Sequence, residues 1–205
     1  MMTDLFKNIL DRVREKAFTK ELEKFTIKDL CKEFNVSEDT IRKYVRSEED
    51  LVEKVLEFER ESFREIFVTH DFEGVNAIDI LLVVSKEIAL RFKDVSPSFT
   101  FELRKRFPET YQKHFDNRIE FIFEKIKINL QKGISQGIYR EDLSIELISR
   151  LYISRLIDLH NPDFFPPEKF SFETLFDTMF ESLIRNISNE KGLKYYEKKK
   201  KAIKF

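Results

Sequence analysis

The chain has 205 residues, 37 % of them charged and 41 % hydrophobic, with a net charge of −1. That length suits one large or two small domains, and no global charge announces a nucleic-acid partner. One Cys excludes an internal disulfide, and the longest apolar run, Ile80 to Val84, is far short of the ~20 residues of a membrane span, so a soluble, cytoplasmic protein is expected.

The periodicity is helical almost throughout, with no clean apolar/polar alternation to suggest a strand. In chain order the pattern predicts about nine helices, near 4–22, 27–34, 38–44, 48–68, 75–93, 97–106, 108–135, 143–160 and 171–189. Thr26, Ser37 and Ser47 stand as N-cap residues, whose side-chain oxygens accept the orphan N–H groups of a first turn. Asp29 and Asp50 follow Thr26 and Ser47 at the spacing of a capping box. Pro97 and Pro108 suit first helical positions. Tyr111, Phe115, Ile119, Ile122, Ile126 and Leu130 repeat at three- and four-residue steps and form one apolar stripe. Gly133, Gly137 and the string IYREDLS break that helix, and Gly192 is expected to end the last one. The Lys-rich segment KGLKYYEKKKKAIKF around it suits contact with DNA or an acidic surface, and reads more simply as a frayed, solvated end. The first three helices are short or polar with close-set caps, and the later ones are longer and more apolar. The fold class is therefore all-α, with a boundary near residue 46 dividing a head, 1–46, from a larger helical domain, 47–205.

Residues 27–46 fit a helix-turn-helix slot by slot. Ile27, Leu30 and Phe34 form the inner face of the first helix, and Cys31 supplies the small residue that lets the second approach. Asn35 takes the turn, where a left-handed backbone is needed and Asn is at ease after Gly. Val36 plugs the turn and Ser37 caps the second helix. Ile41 and Tyr44, or Val45, face back into the core. Glu38, Asp39, Thr40, Arg42, Lys43 and Arg46 then point outward. Arg and Lys can donate to guanine edges or phosphates, and Thr can meet a thymine methyl or a phosphate. Residues 1–48 carry 11 Lys and Arg against 10 Asp and Glu, so the argument rests on spacing more than on charge.

The stretch FTIKDLCKEFNVSEDTIRKYVRSEEDLV resembles the head of the tetracycline-repressor (TetR) family of bacterial regulators. Thr26, Val36, Ser37, Thr40, Ile41, Tyr44, Ser47, Glu49 and Leu51 match that pattern in type. Asn35 stands where the family has Gly, Arg42 where it has Tyr, and Glu48 where it has a Lys beside a phosphate. GISQGIYREDLSIEL and ISNEKGLKYYEKK are similar to later segments of many members. The resemblance implies an N-terminal three-helix DNA-binding head and a C-terminal ligand-binding and dimerisation domain. It implies a ligand-responsive regulator, usually a repressor, reading a palindromic operator on double-stranded DNA as a homodimer. On this reading Thr40, Arg42, Lys43 and Tyr44 make the groove contacts, and Thr26, Ser37 and Arg46 hold phosphates. The homodimer would form through the helices near 143–160 and 171–189. A pocket for a small-molecule effector would draw on Phe99, Phe107, Tyr111, His114, Arg118 and Phe121, although most of these aromatics also suit a plain core.

Nothing in the chain predicts catalysis. His70, His114 and His160 lie far apart without a metal-ligand companion, Cys31 belongs to the helix-turn-helix core, and no glycine-rich phosphate loop is present. No metal or cofactor is expected. The rival reading is an all-helical module that keeps the regulator fold and binds a small molecule or a protein without sequence-specific DNA binding.

Overall fold

Helix-forming segments separated by capping residues dictate the architecture seen in a computed structural model, which describes residues 4–18, 26–92, 103–159, 161, 163–166 and 168–202. The helices are α1 (Asp4–Phe18), α2 (Ile27–Glu33), α3 (Glu38–Arg42), α4 (Glu48–Thr69) and α5 (Ala77–Phe92). They continue with α6 (Pro108–Ser135), α7 (Ile145–Asp158), α8 (Phe172–Ile187) and α9 (Glu190–Ala202). A helical turn at 103–106 precedes α6. The described residues contain no strand, only an isolated antiparallel bridge between Tyr139 and Ser188. The fold is all-α, as the periodicity predicts. The helix start expected at Pro97 lies outside the described residues.

The caps act largely as the spacing requires. Thr26 and Asp29 form a complete capping box: the Asp29 N–H donates to Thr26 Oγ1 at 3.2 Å and the Thr26 N–H to Asp29 Oδ2 at 3.3 Å. The Thr26 hydroxyl and N–H hold the Asp29 carboxyl below its usual range. Ser37 Oγ accepts the Thr40 N–H. Ser47 accepts the Asp50 N–H, but the Asp50 carboxylate reaches back to the Arg46 N–H at 2.7 Å, one residue short of a true box.

The described residues divide into two compact units, one drawn from 1–68 and 94–118, the other from 69–93 and 119–205. In the first unit Ile9, Leu10, Ile27, Leu30, Ile41, Val45, Leu51 and Val55 form the core, with Cys31, Phe34, Val36 and Tyr44 packed against it. The inner-face residues of the helix-turn-helix pattern therefore all reach that core. In the second unit Ile78, Leu130, Tyr139, Phe176, Ile184 and Ile187 are fully buried or nearly so, and α8 gives Met179, Phe180 and Leu183 to the same cluster.

The C-terminal segment differs from the sequence expectation. Gly192 does not end the last helix. α8 stops at Ile187, Ser188 adopts an extended backbone, and a further helix runs to Ala202. Asn189 starts it by accepting the Gly192 N–H on Oδ1 at 3.0 Å. Gly192 is needed for closeness, because a Cβ there would sit 2.1 Å from the Ile138 carbonyl oxygen. The Lys-rich stretch is docked and not frayed: Tyr196 is buried, and Lys200 and Lys199 pair with Glu181 and Asp79.

Candidate nucleic-acid interface

The turn between α2 and α3 is built by one residue. Asn35 is the only described non-glycine residue with positive φ, at 49°. Around it the Val36 N–H donates to the Cys31 carbonyl at 3.0 Å and the Asn35 N–H to the Lys32 carbonyl at 3.4 Å. That pair of bonds is the Schellman termination, which satisfies the last carbonyls of α2 while redirecting the chain. Val36 is then half-buried, and Ser37 opens α3 at once. Ile41 and Val45, both at 0 % exposure, pin α3 to the core, so the opposite face is turned to solvent.

That face holds the predicted residues unequally. Arg42, Lys43 and Arg46 are exposed. Arg42 is engaged by Glu38, with Nη2 at 2.6 Å and Nε at 2.8 Å from the same carboxylate oxygen, and its Nη1 donates to the Arg46 carbonyl at 3.3 Å. Lys43 has no ion partner among the described residues and is the more available cation. Thr40 and Ser37 share a hydroxyl–hydroxyl bond of 2.9 Å at the start of α3. The Thr26 hydroxyl donates to Asp29 at 2.7 Å. Tyr44 stacks its ring on Phe6, centroids 4.7 Å apart, and is half-buried.

Glu48 also finds a local reason. It lies 3.7 Å from Arg106, while Thr110 donates to Glu49 at 2.9 Å and Lys113 reaches Glu53 at 2.6 Å. The acidic first half of α4 is thus matched by donors from the helical turn before α6 and from its first turns. Exposed pairs of this kind add ~0–1 kcal/mol each, so they orient the helices more than they stabilise them.

The residues expected to form an effector pocket are brought together only in part. Tyr111, His114 and Arg118 share the first unit with α4; Phe121 belongs to the second, and Phe99 lies outside the described residues. Phe107 is half-buried with the Arg106 guanidinium 5.3 Å from its ring centre. His114 is buried against α4, where Arg60 Nη1 donates to its Nδ1 at 3.0 Å. Burial, with Arg118 and Arg60 close by, lowers its pKa to about 3, so the ring is neutral near pH 7.

The sequence reading missed the carboxylate beside it. Glu59 is 4 % exposed, 3.9 Å from both His114 Nε2 and Arg118 Nη1, and burial raises its pKa although Arg118, Arg14 and Arg60 oppose that rise. With a neutral His114, the His–Glu proximity is not an ion pair. The signal was present, because Glu59 falls on the apolar stripe of α4 between Val55 and Phe63. Arg118 also sets its guanidinium 5.5 Å from the Phe63 ring centre. No group of His, Cys, Asp and Glu among the described residues is arranged to hold a metal.

No protein-family model matches the chain, and no curated protein matches it in sequence. Solved structures match it in fold. A TetR transcription regulator from Haloarcula marismortui superposes with a TM-score of 0.71 at 16 % identity, over 90 % of this chain and 100 % of that one. A TetR transcriptional regulator from Legionella pneumophila gives 0.68 at 15 % identity, over 91 % and 98 %. A regulator from Saccharomonospora viridis in complex with choline gives 0.71 at 14 % identity, over 90 % and 97 %. The chain has the fold of the TetR-type transcription regulators. No helix among the described residues is long and apolar enough to cross a membrane.

Proposed function

We propose that this protein is a ligand-responsive, DNA-binding transcription regulator of TetR type, acting as a repressor, that reads a palindromic operator as a homodimer. Residues 1–46 form the reading head, and residues 47–205 the regulatory and dimerising part. The observation that carries the reading is the α2–α3 turn: a left-handed Asn35 closes α2, and α3 is pinned by Ile41 and Val45 with Arg42 and Lys43 on the outer face. A helix held this way meets the requirement for entering a major groove. Thr40, Arg42, Lys43 and the Tyr44 hydroxyl would contact the groove, and Thr26, Ser37 and Arg46 the phosphates. The regulatory reading is supported by a fold shared with a regulator that holds choline. In this chain the effector would bias the cluster of Tyr111, His114 and Arg118, shifting the population between binding and non-binding states.

The Glu38–Arg42 pair favours a second reading, a binding module with no operator of its own, because Arg42 must leave or share its carboxylate to meet DNA. A titration separates the two. Purified protein is mixed with the DNA flanking its own coding region, and with unrelated DNA, over a range of salt. Preferential binding that weakens steeply with salt is expected. Arg42→Ala with Lys43→Ala should weaken it ~100-fold or more while the helical content and oligomeric state stay the same. Equal, weak binding to both DNAs, untouched by the double variant, selects the second reading.

A further inference from the structure

The second unit contains an open cleft of about 510 Å³ that the proposed regulator function does not use. One wall is α9. Lys191, Lys194, Tyr195 and Lys198 fall at helical spacings that place them on one face, and all four line the cleft. The opposite face of α9 is the docked one, where Tyr196 is buried and Lys200 meets Glu181. The other walls are two turns, at Gly74 and Asn76 after α4 and at Gln136 and Ile138 after α6.

The polar side chains of those turns are already committed. Gln136 accepts the Ala77 N–H at 2.8 Å and donates to the Val75 carbonyl at 3.1 Å, and Asn76 accepts the Ile78 N–H at 2.9 Å. They make the walls rigid and leave binding to other groups. Those groups are cationic. Of the eight lining residues three are Lys, and none is Asp or Glu. Asp79, the nearby carboxylate, is occupied by the Tyr195 hydroxyl and by Lys199 at 3.1 Å. Lys194 shares the exposed Glu190, whereas Lys191 and Lys198 have no ion partner among the described residues. The apolar lining is the buried Ile138 and the Tyr195 ring, whose hydroxyl is held by Asp79. Lys199 stands 5.3 Å from the centre of that ring and does not line the cleft.

We propose that this cleft binds a small phosphorylated ligand carrying a flat ring, of the nucleotide class. The ring would pack against Tyr195 and Ile138 while Lys191, Lys194 and Lys198 hold the phosphates. The volume is in the range of small-ligand sites, and apolar contact with a few convergent charges is how such sites orient a ligand.

The test is direct binding to the full chain without DNA, so its outcome is independent of operator recognition. A ribose-labelled fluorescent ADP is titrated by anisotropy, then displaced with ADP, inorganic pyrophosphate or adenosine. Saturable binding is expected, with ADP displacing the probe at least ~tenfold better than pyrophosphate or adenosine. Lys191→Gln with Lys198→Gln, both on the surface, should weaken binding ~tenfold or more without changing the melting temperature. No saturation up to about 1 mM, equal displacement by pyrophosphate, or unaltered binding by the double variant each overturns the proposal. So does a double variant that loses only affinity for unrelated duplex DNA, which would make the patch a DNA-backbone contact.

Discussion

Single residues set the geometry of the α2–α3 turn, and Asn35 does so most directly. With φ at 49° it occupies a backbone region where a Cβ-bearing residue other than Asn or Asp pays a steric penalty. Asn35→Ala should therefore cost about 1 kcal/mol in urea unfolding. Asn35→Gly should be neutral or nearly so. Equal losses for the two would mean that the Asn side chain, and not its backbone, holds the turn. His114 makes a pH-dependent prediction at the same scale. Its folded pKa of about 3 lies below the unfolded 6.5, so its stability contribution is intact above pH 6.5 and is lost as pH falls toward 3. The slope approaches ~1.4 kcal/mol per pH unit, because the unfolded chain binds a proton that the folded ring refuses. Glu59 acts with the opposite sign: its raised pKa lets the folded carboxyl take up a proton first, which favours folding on acidification. His114→Gln removes the first effect alone. Unfolding at several pH values below 6.5 should show a flatter loss in the variant, and an unchanged slope would remove His114 as its source.

At the scale of elements, two close approaches determine how the C-terminal helices meet. A Cβ at Gly133 would sit 2.0 Å from the Tyr139 ring. That ring cannot step aside, since it is fully buried and its hydroxyl donates to Asn129 at 3.1 Å, which in turn donates to the Ala77 carbonyl at 2.9 Å. Gly133→Ala should cost about 2 kcal/mol or more through overpacking, read as a drop in the thermal midpoint. An unshifted midpoint would show that the Tyr139 network rearranges freely. Read along the chain, Gly133 and Gly192 both look like helix stops. Gly133 lies in the last turn of α6, where the missing side chain makes room for the Tyr139 ring six residues on, and Gly192 lies in the first turn of α9, where it makes room for the Ile138 carbonyl, distant in sequence. Periodicity and caps make the helices legible; a glycine chosen for closeness looks the same as one chosen to end a helix.

At the scale of the whole molecule, assembly is the open quantity. α8 carries an apolar stripe too wide for one face, and its own core takes it up: Phe176, Met179, Phe180, Leu183, Ile184 and Ile187 are all buried within the chain. α7 is different. It leaves Leu147, Leu151 and Ile157 at 56 %, 48 % and 43 % exposure, with Leu147 and Leu151 one helical turn apart. An exposed leucine row on a helix is what a symmetric partner would cover. Leu147→Glu together with Leu151→Glu should convert the proposed dimer to a monomer of unchanged helicity in sedimentation. Persistent dimers would move the interface off α7.

The sequence by itself determined the helical class, most helix starts and the whole helix-turn-helix pattern. These depend on local chemistry: a side-chain oxygen at a cap, a residue tolerant of positive φ, and apolar residues one turn apart. Only the tertiary structure decided that Arg42 is held by Glu38, that Tyr44 gives its ring to Phe6, and that Glu59 lies buried beside His114. It also decided that the Lys-rich stretch folds back as a docked helix. Those outcomes rest on which charges and rings find each other, several of them across long chain separations, and on how water is excluded between them. The i,i+4 spacing of Glu38 and Arg42 and the place of Glu59 on its stripe allow two of these outcomes, but no spacing along the chain brings Phe6 to Tyr44, His114 to Glu59 or Glu181 to Lys200.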